Sequence, residues 1–294
     1  MISNRRAFLH KLSLVAAGGM MAPQLACAQS KKVAGSAGSL DKFGIQLYTL
    51  RDVIGDDPKG TISQLVSYGF KQIEGFEGRQ GMFWNMPHKD FKMFLDDQGL
   101  EMVSSHCNIR EDFEKKAEQA AEVGMSYLIC PFIGPQNSVE KWKEVTELFN
   151  ECGRVCKANG IRFAYHNHEY TFRSFSGMIP QDFLMENTDP DLVDHQMDIY
   201  WVVTGGADPV DYLDRYPNRF RLCHVKDRLK SAGADERSAS CDLGTGSIDF
   251  PKILKLAADK GMKYYIMEQE RYDNSTPMES AKTGAAYLKA LKFA

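Results

Sequence analysis

Eight short runs of apolar, β-branched and aromatic residues recur along this chain, each followed by a segment with helical periodicity. This alternation constrains the fold more than any other feature. The runs fall at 43–50, 71–76, 100–108, 125–132, 161–170, 192–201, 220–227 and 262–270. Amphipathic segments separate them at 58–70, 88–99, 112–124, 139–160, 180–188, 209–218 and 249–261, and 276–293 closes the chain. Glycine stops many of the helices just before a strand, at Gly69, Gly99, Gly124, Gly160 and Gly261. Only glycine adopts the left-handed conformation that ends a helix at little cost. Strand–helix alternation with short links implies parallel strands and right-handed crossovers, and an eightfold count favours closure. The expected fold is therefore α/β, a single (β/α)8 TIM barrel over residues 40–294, with an open doubly wound sheet as the lesser alternative.

The front end reads differently. Asn4-Arg5-Arg6-Ala7-Phe8-Leu9-His10-Lys11 has the paired arginines of a twin-arginine export signal, and an apolar stretch runs from Leu12 to Ala22. Ala26-Cys27-Ala28 offers a small-x-small cleavage site. The apolar stretch is shorter than the roughly 20 residues a membrane span needs. We expect residues 1–28 to be a signal peptide, residues 29–39 a flexible Gly/Ser-rich leader, and the mature protein to be periplasmic without stable membrane insertion. The chain has net charge −3, and Arg5, Arg6 and Lys11 are the only charges of the signal, so the remainder is more acidic still. With no long basic run, nucleic acid is not an expected partner. Six cysteines follow the signal, with no Cys-x-x-Cys pair, and Cys152 and Cys156 are spaced for helix packing rather than a disulfide.

The polar residues at the strand ends carry the chemistry. A barrel gathers the C-terminal ends of its strands at one mouth. There this sequence places Tyr165-His166-Asn167-His168-Glu169, Asp198, His224 followed by Lys226, and Glu268 followed by Glu270. Imidazoles and carboxylates together suit a divalent transition metal. His166 and His168 alternate on one strand and should share a face, and the same holds for His224 and Lys226. Glu169 would reach inward only if the strand ended or bulged there. Lys226 could hold a substrate oxyanion. Gln46, Tyr48, Glu74 and His106 are candidate lining residues from the first three strands, with Asn167 and Glu270 on the later ones. Trp84 and Trp201 could stack on a sugar ring. The long polar segment 228–248 reads either as a mobile surface loop or as a flap over the mouth, and its Gly244-Thr245-Gly246 is weak as a phosphate signal.

With QLYTLRD, EGF, SSHCN, YHNHEYTF, MDIYWVVTGGADP, HVKD and MEQE in this order, the chain resembles the xylose-isomerase-like barrel superfamily. That group includes sugar phosphate isomerase/epimerases, ketose 3-epimerases, inosose dehydratases and an endonuclease branch. The resemblance implies one divalent ion (Mn, Co, Mg or Zn) held by Glu, Asp, His and Glu from strands five to eight. Asp198, His224 and Glu268 match the last three. The first position is His166-Asn167-His168 where relatives carry Glu-x-His or Glu-x-Asn. His168 is taken as the fourth ligand, with His166 and Glu169 left open. Loss of that glutamate weakens a symmetrical two-carboxylate epimerase mechanism and leaves His166, Glu268 and Lys226 as proton handlers.

The expected function is a metal-dependent sugar isomerase or epimerase acting on a ketose or keto-sugar through an enediolate. A keto-glycoside lyase or dehydratase on the same barrel is the alternative, and a sugar-binding protein the non-enzymatic one. The expected partner is a small sugar or keto-glycoside, with a homo-oligomer possible. A nuclease would need more ligands and a basic face than seven histidines and this charge supply.

Overall fold

The computed structural model describes residues 38–293 apart from 41 and 274. The expected signal peptide and most of the expected leader lie outside the described residues. Gly38–Ser39, the last two positions of the expected leader, pair antiparallel with Lys292–Phe293.

Eight parallel strands close into a barrel: β1 (Gly44–Gln46), β2 (Gln72–Phe76), β3 (Glu101–His106), β4 (Tyr127–Cys130), β5 (Arg162–His166), β6 (Val193–Asp198), β7 (Phe220–Val225) and β8 (Tyr264–Met267). Each pairs with its neighbours in sequence, and β8 returns to β1 through Ile266 opposite Gly44. Outside lie α1 (Pro58–Tyr68), α2 (His88–Gln98), α3 (Phe113–Val123), α4 (Val139–Ala158), α5 (Pro180–Asn187), α6 (Ile199–Thr204), α7 (Pro209–Arg215), α8 (Phe250–Asp259) and α9 (Pro277–Ala290). Asp57, Ser138, Asp249 and Thr276 cap their helices with side-chain oxygens, and the five glycine stops all have φ between 66° and 100°. Among the described residues no helix is long and apolar enough to cross a membrane.

Alternation along each strand divides two interiors. One face packs Ile45, Ile73, Phe163, Val193, Met197, Val225 and Met267 against the helices in the main core. The other face lines the lumen. At its lower end Tyr127, Ile129, Ala164 and Leu222 form a small apolar cluster. Above it the lumen is polar, with Gln46, Glu74, Ser104, His106, His166, Gln196 and His224 all buried. Branched aliphatic side chains fill this level in most such barrels, so the polar layer marks the working end. All six described cysteines are buried and free, as the helical spacing of Cys152 and Cys156 implies.

Three strands stop earlier than their apolar runs suggest, and at two of them a side chain takes a backbone donor. Gln46 Oε1 accepts from Tyr48 N, and Leu47–Leu50 turn into a 3-10 helix. β5 stops at His166 and Glu169–Phe172 form another such turn. Asp198 ends β6 by capping α6, its Oδ1 accepting from Trp201 N at 3.0 Å.

The 228–248 segment is neither loose nor a phosphate cradle. Asp227–Arg228 pairs with Ser240–Cys241, and the buried Asp227 carboxylate accepts from Gly244 N, Gly246 N and Ile248 N. The glycine turn thus wraps an anion of the protein itself. Arg228 donates to Thr204 Oγ1 and to the carbonyls of Ala232, Gly233 and Glu236.

His195 of β6 is fully buried among the outer packing, with the Gln181 amide 3.3 Å from its Nδ1. Burial, aided by Arg219, holds this imidazole well below its ordinary pKa. The unfolded chain takes up a proton near pH 6.5 that the folded ring refuses, so stability present above that pH is lost as pH falls below it. Melting temperature should drop between about pH 7.5 and pH 5. His195→Gln, neutral throughout, should shrink that drop; an unchanged slope would show that His195 does not contribute.

Candidate metal and proton-transfer site

The site is assembled at the C-terminal ends of the strands. A cavity of about 600 Å³ opens there, with His106, His166, His168, Glu268 and Glu270 at its polar end. Tyr48, Phe76, Phe132 and Trp201 form aromatic walls, and Asn108 and Arg110 line the side after β3. Tyr48 and Phe132 are 40% and 54% exposed, an unusual state for large hydrophobic residues in this protein and one that suits a ligand-facing rim.

Asp198, His224 and Glu268 converge on one point, and His106, His166 and His224 make a second convergent group beside it. His224 Nδ1 lies 3.3 Å from Glu268 Oε2 and 3.7 Å from Asp198 Oδ2, and His166 Nε2 lies 3.9 Å from the same Asp198 oxygen. One ligand atom each from Asp198, His224 and Glu268 falls within 4.8 Å of the others. Asp198 Oδ2 and His224 Nδ1 are buried with no hydrogen-bond partner. An orphaned carboxylate oxygen in a dry site is costly unless a cation takes it, and, against burial, Glu268 and Glu74 raise the pKa of the His224 imidazole beside it. The donor set therefore fits a divalent transition metal, with two carboxylate oxygens and one or two imidazole nitrogens.

Neighbours hold each ligand. Asn167 does not face the cavity; its amide clamps the backbone of Asp198, accepting from Asp198 N and donating to Asp198 O, both at 3.1 Å. Gln46 and Glu74 also lie beneath the site rather than in its lining. Glu74 Oε1 accepts from Gln46 Nε2 at 2.8 Å and meets His224 Nε2 at 2.5 Å, while Oε2 accepts from Ser104 Oγ and Gln196 Nε2 at 2.6 and 2.7 Å. A carboxylate behind a ligating imidazole orients it and raises its basicity. Gln196 stands two residues before Asp198 on the same face of β6, and that spacing is the signal that could have revealed it.

The two strand-five histidines divide the space differently from the expected assignment. His166 is the ring near Asp198. His168 stands in an aromatic wall, with ring centroids 5.1 Å from Phe132, 5.2 Å from Trp201 and 6.0 Å from Tyr170, and belongs to neither group of convergent ligand atoms. β5 ends at His166, so strand alternation no longer fixes where His168 points. Burial, with Lys226 nearby, pushes the His168 imidazole down to about 3. Glu169 turns away to pair with Arg237 Nε at 2.9 Å.

Lys226 is fully buried and does not line the cavity. Its Nζ lies 2.6 Å from Glu270 and 3.2 Å from Glu268, and it sits 4.9 Å over both the Tyr200 and Trp201 rings. Burial opposes its charge, but Glu268, Glu270 and Asp198 together raise its pKa. Burial alone would raise Glu268, yet Lys226 and His224 hold it well below the usual carboxylate range. Glu270 goes the other way: burial, reinforced by Glu268, raises it despite Lys226. Trp84 is core, packed on Phe76 and Phe91 rather than offered to a ligand.

Residues 62–291 match the model of the xylose isomerase-like TIM barrel family. Inosose dehydratase of Clostridium perfringens is 29% identical over 164 residues, 51% of this chain and 54% of that protein, so the chain spans about half the length of that curated relative. The crystal structure of a sugar phosphate isomerase/epimerase from Parabacteroides distasonis is 30% identical, with TM-score 0.74, covering 90% of this chain and 98% of that one. The IOLI protein, solved with a bound zinc atom, has TM-score 0.67 and covers 84% of this chain and 96% of that chain; at 13% identity that likeness shows the fold alone.

Elemental analysis should find about one divalent transition metal per chain. Asp198→Ala with His224→Ala should remove it, while His168→Phe should retain it. Stoichiometric metal in the double variant would dismiss this ligand set.

Proposed function

The chain belongs to the xylose isomerase-like TIM barrel family, and we propose that it is a divalent-metal-dependent lyase that eliminates water, or another group β to a carbonyl, from a polyhydroxylated keto compound of the inosose or keto-sugar class. The observation that carries this reading is the asymmetry of the site. An epimerase of the two-carboxylate kind needs matched acid/base groups on both substrate faces. Here one side offers buried imidazoles, His166 and His168, and the other offers Glu270 backed by Lys226. Elimination needs unlike groups, a base for the α-proton and an acid for the departing hydroxyl. The dehydratase relative supports the same choice.

Asp198, His224 and Glu268 would hold the ion. When bound, the ion supplies Lewis acidity that acidifies the C–H beside a carbonyl. Glu268, held ionised, serves as ligand rather than acid. His166 takes the α-proton. Glu270 lines the cavity, and its upward shift makes it the readier of the two glutamates to pass a proton to the leaving oxygen. Lys226, sealed behind both glutamates, sets their position and does not reach substrate. Trp201, Phe132 and Tyr48 provide apolar faces for a ring. A second reading, isomerisation or epimerisation, keeps its support in the Parabacteroides relative.

The metal-loaded protein should convert an inosose or a 3-keto-glycoside to an unsaturated ketone, seen as new ultraviolet absorbance. Glu270→Gln should lower kcat by about 10²–10⁴-fold. Solvent deuterium incorporation at the α-carbon without loss of a group would favour the epimerase reading instead. Neither reaction together with no bound metal would leave a sugar-binding protein.

For location, the twin-arginine pattern at Arg5-Arg6 and the small-x-small site at Ala26-Cys27-Ala28 support export to the periplasm. Arg5→Lys with Arg6→Lys should retain the protein in the cytoplasmic fraction; unchanged periplasmic recovery would refute a twin-arginine route.

A further inference from the structure

We infer that Glu74 and Gln196 are positioning residues that fix a proton on His106 Nε2, His166 Nδ1 and His224 Nε2, so that His166 Nε2 and His224 Nδ1 are the ring atoms turned toward Asp198 and Glu268. The argument starts from donor arithmetic. An ionised carboxylate has about four lone-pair sites. Those of Glu74 are taken by Gln46, His224, Ser104 and Gln196, two donors on each oxygen. Because this carboxylate only accepts, the Gln196 amide must face it with Nε2, at 2.7 Å. Its Oε1 then points the other way, into the histidine cluster.

That oxygen lies 2.8 Å from His106 Nε2 and 3.0 Å from His166 Nδ1. An amide oxygen only accepts, so both ring atoms must carry hydrogen. Each ring is buried within about 5 Å of other imidazoles, where a second proton would set like charges side by side, so each carries one. The bare atoms are therefore His106 Nδ1 and His166 Nε2. His166 Nε2 is the atom 3.9 Å from Asp198 Oδ2. His224 keeps its Nε2 proton on Glu74 and turns Nδ1 to Glu268 and Asp198. One amide thus gives two histidines opposite tautomers, and one carboxylate orders the set. Both a metal ligand and a base need a lone pair. A proton on His166 Nε2 would abolish either role. The consequence for metal binding rests on the function proposed above; the proton positions do not.

The test is nitrogen NMR on metal-free, full-length protein labelled with 15N-histidine, with resonances assigned from His106→Asn and His166→Asn. His166 should show its proton on Nδ1 and His106 on Nε2. A proton on His166 Nε2, or rapid exchange between its nitrogens, overturns the inference, and the unmutated protein alone decides this. Gln196→Met removes both halves of the amide at similar size. It should release both tautomers and weaken binding of zinc, titrated against a chelator, by about 10–100-fold. A packing role alone would lower the melting temperature and leave the tautomers as they were, which also overturns the inference. Fixed tautomers with no zinc bound by either protein would sustain the inference and sink the metal reading. Zinc binding with free tautomers would do the reverse.

Discussion

The ionised carboxylate of Glu74, buried at the centre of the lumen, is the constraint on which the working end depends. An isolated charge in such a place is prohibitively costly unless it is hydrogen-bonded from every side. The barrel meets that demand with donors from β1, β3, β6 and β7. The donor farthest from Glu74 in sequence, His224, lies 150 residues away. Satisfying one anion therefore fixes the relative height of these strands and the direction of the histidines above. An apolar layer would have closed the barrel equally well but would have oriented nothing.

Above Glu74 the charges are arranged in tiers. His224 joins the central carboxylate to the convergent ligands, Lys226 sits behind Glu268 and Glu270, and the cavity begins only past these. The result is a set of buried groups whose proton affinities are pulled in opposite directions within a few ångströms. Glu268 is pressed down by Lys226 and His224, while Glu270 is lifted by burial and by Glu268. Pairs of titratable groups driven apart in this way are how acid and base roles are divided at neutral pH. The asymmetry between imidazoles and a protonatable carboxyl is also what separates this barrel from a symmetrical two-carboxylate design.

The outer parts serve the same end. Asp198 uses one oxygen to start α6 and leaves the other free, and Asn167 holds its backbone on both sides. The segment after β7 is tied down through Asp227 and Arg228, and Tyr200 OH bonds both Arg237 O and Ala239 N. From that braced loop Arg237 reaches Glu169 and the Trp201 ring, so the cavity wall near Trp201 is held by the loop.

The sequence by itself determined the barrel, because period-two apolar runs, helical segments and glycine stops are local properties of consecutive residues. It also determined that Asp198, His224, Glu268 and the strand-five histidines meet at one mouth, because parallel strands deliver their ends to one place. Only the tertiary structure decided which histidine faces Asp198, since β5 stops at His166 and alternation fixes no direction beyond it. The same holds for Glu169 pairing with Arg237, for Asn167 clamping a backbone, and for Gly244-Thr245-Gly246 wrapping Asp227. Each of these is settled by a partner distant in sequence. Hydrogen-bond partners and burial are properties of the packed molecule, and no periodicity in the chain encodes them.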